Sequence, residues 1–252
     1  MKESPGSAAG ASGARATRLL IGMQVGGFLL LACYSALLMM TEFRNSQDYV
    51  RPFFTDIRGP VFLYAINTTL ATTLMWCTAM LFLVCFLIVA DQNGKRRARW
   101  FFASQVIIFL YLGFDDRFLL HEMLGPVFHV NDAYILVAIG AVEVMLIAFL
   151  GEFRRAPLLA RVHLLLGAAL FGLMAAIDAL APARAVLRLS IEDLSKTWSC
   201  VFLFLFAMWT CIHQIAQLKA AARLLEVGRE PHGLARDPEH QSTRPRRNAV
   251  MG

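Results

Sequence analysis

The sequence predicts an all-α fold, a polytopic helical membrane bundle of six transmembrane helices with both termini cytoplasmic. Three observations lead there. Of the 252 residues, 58% are hydrophobic and only 17% charged, whereas water-soluble domains run near 45–50% apolar and about 25% charged. The mean hydropathy is +0.56, and the apolar residues are gathered into long blocks of the kind that cross bilayers. Basic residues recur in alternate connections, which fixes an orientation. The net charge of +6 therefore reads as topological, with the lipid bilayer as partner and no nucleic acid.

Residues 1–17 are rich in Gly, Ala and Ser and are expected to be a flexible cytoplasmic lead-in. The six-helix domain occupies 18–217. Its first span, about 19–40, is the uncharged run from Leu19 to Met40, long enough at about 1.5 Å per residue to cross a core of about 30 Å. A secretory signal cleaved near Leu30–Cys33 is the competing reading, but the apolar run continues through Tyr34–Leu38, past that site. Thr41–Gly59 is a mixed-charge loop, and Pro60 suits the first position of a helix. The second span, about 61–90, carries Asn67, Thr68, Thr69, Thr72 and Thr73 in its first half, so a tilted helix with a polar outer half is expected.

The turn from Asp91 to Arg99 holds Lys95, Arg96, Arg97 and Arg99, a cytoplasmic marker. Spans three to six follow at about 100–120, 133–150, 164–180 and 198–215. Arg154, Arg155 and Arg161 make the 4–5 connection basic, and Lys219, Arg223 and Arg229 do the same beyond span six. These segments and the N-terminus fall on one side only with six spans. Residues 218–252 read as a basic, largely disordered cytoplasmic tail. Localisation follows as a multi-pass protein of a cytoplasmic or inner membrane. Cys33, Cys77, Cys85, Cys200 and Cys211 all lie in apolar blocks and read as small core residues without a disulfide framework.

The third span is unusual. Only Trp100–Phe114 is largely apolar before Asp115, Asp116, Arg117, His121 and Glu122, so a full span must take in charges. Each costs about 2.5–3.5 kcal/mol at depth and normally faces the bundle interior. On a continuous helix Asp115 and Glu122 share one face, and Arg117 and His121 another at i, i+4. Glu143 falls mid-way along the fourth span, Asp178 near the outer end of the fifth, and Glu192 and Asp193 just before the sixth. Apart from Glu143, these groups and Asn67 share the outer level, as a cavity requires.

The candidate roles divide accordingly. Asp115, Asp116, Glu122 and Glu143 are candidate catalytic residues; Arg117, Asn67, Asp178, Glu192 and Asp193 are candidate substrate or gating residues. A divalent metal ion as cofactor would use His121 with Asp116, Glu122 and Asp178. The structural alternatives are an intramembrane salt-bridged helix end at Asp115–Arg117, N-capping by Ser190, Glu192 and Asp193, and simple helix termination around Asp178 before Pro182. His163 and His213, at the ends of neighbouring spans, raise haem b only weakly, and His129 reads as solvated.

The leading functional expectation is a metal-dependent enzyme with an outward-opening acidic and histidine-bearing cavity, acting on a lipid or other amphipathic substrate. Its rivals are a proton- or cation-coupled transporter with Glu143 as carrier and Asp115 and Arg117 as a gating pair, and a non-enzymatic subunit whose buried charges pair with a membrane partner protein. No phosphate loop, nucleophile elbow or Cys-pair metal signature occurs.

Overall fold

The computed structural model describes residues 6–54, 65–90, 92, 94–130, 132–151, 156–182 and 186–227, with 6–16, 122, 132–133 and 225–227 as backbone only. Eight helices occupy these residues: α1 (Gly6–Arg44), α2 (Gln47–Phe54), α3 (Ile66–Ala90), α4 (Arg96–Phe118), α5 (Leu120–Phe128), α6 (Asp132–Phe149), α7 (Leu158–Leu180) and α8 (Arg188–Val227). No strand occurs among them. Two compact units are distinguished, residues 1–214 and 215–252; the second is helical from Ile215 to Val227.

Four stretches are long and apolar enough to cross a membrane: Thr17–Arg44, Ile66–Ala90, Leu158–Leu180 and Arg188–Leu224. These suggest an integral membrane protein. The apolar stretch of α6, Tyr134–Phe149, is shorter, and α4 carries Arg96, Arg97 and Arg99 at one end and Asp115, Asp116 and Arg117 at the other.

Several boundaries differ from the sequence expectation. Residues 6–17 are helical rather than a flexible lead-in, in keeping with a run rich in alanine, the strongest helix former. The loop expected from Thr41 is helical to Arg44 and again in α2, whose Val50 and Phe54 are buried. The helix expected to begin near Trp198 starts at Arg188 and continues to Val227, past the expected start of the tail. Helix there is favoured because Glu192 and Asp193 have cations within a turn. The expected features at 55–64, Asp91, Asn93, 152–155, 183–185 and the tail from Gly228 lie outside the described residues.

The core centres on Phe82 of α3, which is fully buried. Its ring meets Phe102 and Phe109 of α4 at 6.2 and 5.6 Å and Phe206 of α8 at 5.6 Å, spacings at which offset and tilted aromatic pairs attract. α7 and α8 approach closely at Gly167, where a Cβ would lie 2.9 Å from Leu203 Cγ and 3.3 Å from Leu203 N. Ser199 Oγ donates to the Gly167 carbonyl at 2.8 Å, so a small residue and a short hydroxyl bring two apolar helices together. Gly167→Val should therefore lower the thermal unfolding midpoint by an overpacking cost of about 1–3 kcal/mol; an unchanged midpoint in a detergent melt would show that the helices part without loss.

Candidate functional site

The site begins with a backbone break. Leu119 adopts a left-handed conformation, φ 54°, which ends α4 and starts α5. A leucine there is disfavoured by the clash of its Cβ with the following carbonyl. The break corrects the face assignments made for a continuous helix. It turns His121 back over Asp115, so that the His121 N–H donates to Asp115 Oδ1 at 2.8 Å and the ring Nδ1 meets Asp115 Oδ2 at 2.8 Å. Asp115 is 2% exposed and holds His121 through both oxygens, one on the backbone N–H and one on the imidazole. His121 is paired with Asp115 rather than aligned with Arg117.

Asp116, one residue on, faces α3 and α8. Thr72 Oγ1 donates to its Oδ2 at 2.9 Å, and the Lys196 ammonium lies 2.9 Å from its Oδ1. The same ammonium reaches Asp193 Oδ1 at 3.3 Å. Arg188 forms a second bridge, with Asp178 Oδ1 at 3.2 Å and Glu192 Oε2 at 3.4 Å. The first turns of α8 thus carry two cations, each shared by two carboxylates.

These groups enclose a cavity of about 210 Å³. Asp115, Asp116, Arg117, His121, Asp178, Glu192, Asp193 and Lys196 line it together with an apolar wall that includes Phe54, Met75, Leu112 and Phe171. Among the described residues the lining carboxylates outnumber the lining cations Arg117 and Lys196, and Arg188 compensates from beside it. The cavity is an acidic, partly neutralised chamber with one greasy side.

Two sequence candidates lie elsewhere. Glu143 is not among the lining residues; Gln105 Nε2 donates to its Oε2 at 3.1 Å. Asn67 is 1% exposed, is also absent from the lining, and finds no side-chain partner among the described residues. The side chain of Glu122 is outside the described residues.

The expected metal set is not assembled among the described residues. Among the described residues no three His, Cys, Asp or Glu side chains converge closely enough to hold a metal ion. Asp116 and Asp178, two of the expected ligands, instead hold the Lys196 ammonium and the Arg188 guanidinium. A bound cationic side chain competes with a metal ion for those carboxylate oxygens.

The N-capping alternative for Ser190 is also replaced. Ser190 is inside α8, and its N–H donates to Glu42 Oε2 of α1 at 2.9 Å. A carboxylate from another helix thereby supplies the anion that a helix N-terminus attracts. His163, raised for haem ligation, belongs to a chain of hydrogen bonds. Trp209 Nε1 donates to Gln24 Oε1 at 3.3 Å, Gln24 Nε2 lies 2.6 Å from His163 Nε2, and His163 Nδ1 lies 2.6 Å from the Leu159 carbonyl. The carbonyl can only accept, so Nδ1 carries the proton and Nε2 accepts from Gln24. Both ring nitrogens are thereby engaged within the protein.

Sequence reasoning missed Lys196, Arg188, Gln105 and Glu42. For Lys196 a signal was present: it stands at i+4 from Glu192 and i+3 from Asp193, the spacings at which helical side chains meet. Removing one member of a buried pair strands the others. Lys196→Met should lower stability by up to about 3–5 kcal/mol, and Asp116→Asn combined with it should recover part of the loss. A double-mutant cycle on thermal midpoints checks this, and strict additivity would mean the bridge carries no coupling.

The family described as Domain of unknown function (DUF8692) matches residues 23–211, a segment that contains every residue lining the cavity. No curated protein and no solved structure matches the chain.

Proposed function

The chain belongs to the family described as Domain of unknown function (DUF8692), and we propose that it is a multi-pass membrane protein that binds a small cationic or zwitterionic molecule and moves it in a cation- or proton-coupled cycle. Six spans are counted in this reading, with α4 and α6 added to the four long apolar stretches. Both termini are placed on the cytoplasmic side, where the basic connections gather, and the cavity opens to the outer side.

One observation carries the reading: the cavity already holds an ammonium group, that of Lys196, between Asp116 of α4 and Asp193 of α8. A carboxylate pair that accepts a tethered ammonium suits a free one, and the lining acids exceed the lining cations. An incoming cation would compete with Lys196 for Asp116. Because Asp193 lies on the same helix as Lys196, the ammonium keeps that partner while the link from α8 to α4 opens. Ligand occupancy then has different contact energy in two helix arrangements, which is what a population shift requires. The Asp115–His121 pair beside it supplies a proton acceptor held in one orientation.

The metal-dependent lipid enzyme that the sequence favours draws no support from this arrangement, since two of its four expected ligands, Asp116 and Asp178, are engaged by Lys196 and Arg188. Binding of small primary and quaternary ammonium compounds to the purified protein should raise its thermal midpoint in a saturable way. Asp116→Asn and Asp193→Asn should each weaken that effect at least tenfold in apparent affinity, while dicarboxylates of the same size should give no shift. If no ammonium compound shifts the midpoint, or if the shifts survive both substitutions unchanged, the reading fails.

A further inference from the structure

Gln105 of α4 and Glu143 of α6 meet away from the cavity. By the rise of an α-helix, Gln105 is about 15 Å along α4 from Asp115. Gln105 is fully buried, and its Nε2 donates to Glu143 Oε2 at 3.1 Å. That single bond leaves one oxygen on each side chain. Gln105 Oε1 and Glu143 Oε1 are both shut away from solvent, and neither has a hydrogen-bond partner among the described residues.

An ionised Glu143 would make this a doubly poor arrangement. Two buried acceptors would lack a donor, each having lost its water without a replacement bond. A carboxylate would also stand in the apolar part of the bundle, and no ion pair reaches Glu143 among the described residues. One added proton removes both defects. A protonated carboxyl has one O–H donor, and an O–H on Glu143 directed at Gln105 Oε1 closes a reciprocal pair of hydrogen bonds between acid and amide. Exchanging the amide oxygen and nitrogen leaves the argument intact, because each partner still gives one hydrogen and accepts one.

We infer that Glu143 is a proton-binding site embedded in the bundle, in which the acid proton is held against the Gln105 amide. Gln105 is the positioning residue, since it touches the proton only through Glu143. The site differs from the cavity in chemistry as well as in place: the cavity stores charge in ion pairs, whereas this pair is neutral. The inference rests on the α4–α6 geometry alone and stands even if the cavity binds no cation.

A protonated carboxyl in an apolar setting has a distinctive reactivity toward hydrophobic carbodiimides. The acid O–H adds across one C=N bond, the proton going to nitrogen and the carboxyl oxygen bonding to the central carbon. The acyl group then migrates from oxygen to nitrogen to give a stable N-acylurea. Nothing leaves, and no oxidant or reductant is needed. With water excluded, the migration is not cut short by hydrolysis.

The test uses N,N′-dicyclohexylcarbodiimide on the full chain in liposomes, with peptide mass spectrometry to locate the adduct. The expected result is a modification at Glu143 carrying the full mass of the reagent, lost in Glu143→Gln. Glu143→Gln should also keep the thermal midpoint within about 2 °C of wild type, because an amide replaces the acid in the same two-bond ring. Gln105→Leu should lower it clearly, having left the acid without a partner. Two results would overturn the inference. One is a failure to modify Glu143. The other is a fall in the Glu143→Gln midpoint comparable to that of Gln105→Leu, as expected if an ionised Glu143 were neutralising a buried cation.

Discussion

The structure depends on the Lys196 ammonium being shared between two helices. In an apolar bundle an unpaired charge is costly, so a lysine among apolar spans must find anions, and Lys196 finds Asp116 on α4 and Asp193 on its own helix. Thr72 of α3 then orients Asp116 through its other oxygen, which ties three helices to one ammonium. Arg188 does the same for α7 and α8 through Asp178 and Glu192. The start of α8 also receives Glu42 from α1 at the Ser190 N–H. The first turns of α8 are therefore where α1, α4 and α7 are joined by charge.

Elsewhere the same helix is held differently. Trp209, Gln24, His163 and the Leu159 carbonyl form a run of hydrogen bonds from α8 through α1 to α7, and Trp198 Nε1 donates to Ser35 Oγ of α1 at 3.0 Å. None of these links needs a formal charge. Neutral hydrogen bonds and the stacked rings around Phe82 fix the bundle without placing charge beside lipid. Ion pairs are concentrated where there is a cavity to use them.

Much of this was legible in the chain. The apolar blocks predicted helices long enough to cross a membrane, and four such stretches are present. Asp115, Asp116, Arg117, His121, Asp178, Glu192 and Asp193 were singled out because charges at the ends of apolar spans are expensive, and all of them line one cavity. Their pairing was not legible. A left-handed residue at Leu119 has no sequence marker when it is not glycine or asparagine, so the turn that sets His121 on Asp115 was read as straight helix. Lys196 stands within a turn of Glu192 and Asp193, but nothing in the chain marks Asp116 of another helix as its partner. The partnership of Gln105 with Glu143 joins residues far apart in sequence, and periodicity within one helix says nothing about which neighbour a buried amide meets.

In the proposed cycle an external cation takes the place of the Lys196 ammonium at Asp116, and this exchange moves charge through the protein. Current across a solid-supported membrane, recorded on proteoliposomes after a concentration jump of small ammonium compounds, tests it most directly. A saturable transient or sustained current is expected in wild type and should be absent from protein-free vesicles and from Asp116→Asn. Currents no larger than those of empty vesicles for every compound in the series, from protein that is folded by its melt, would contradict it.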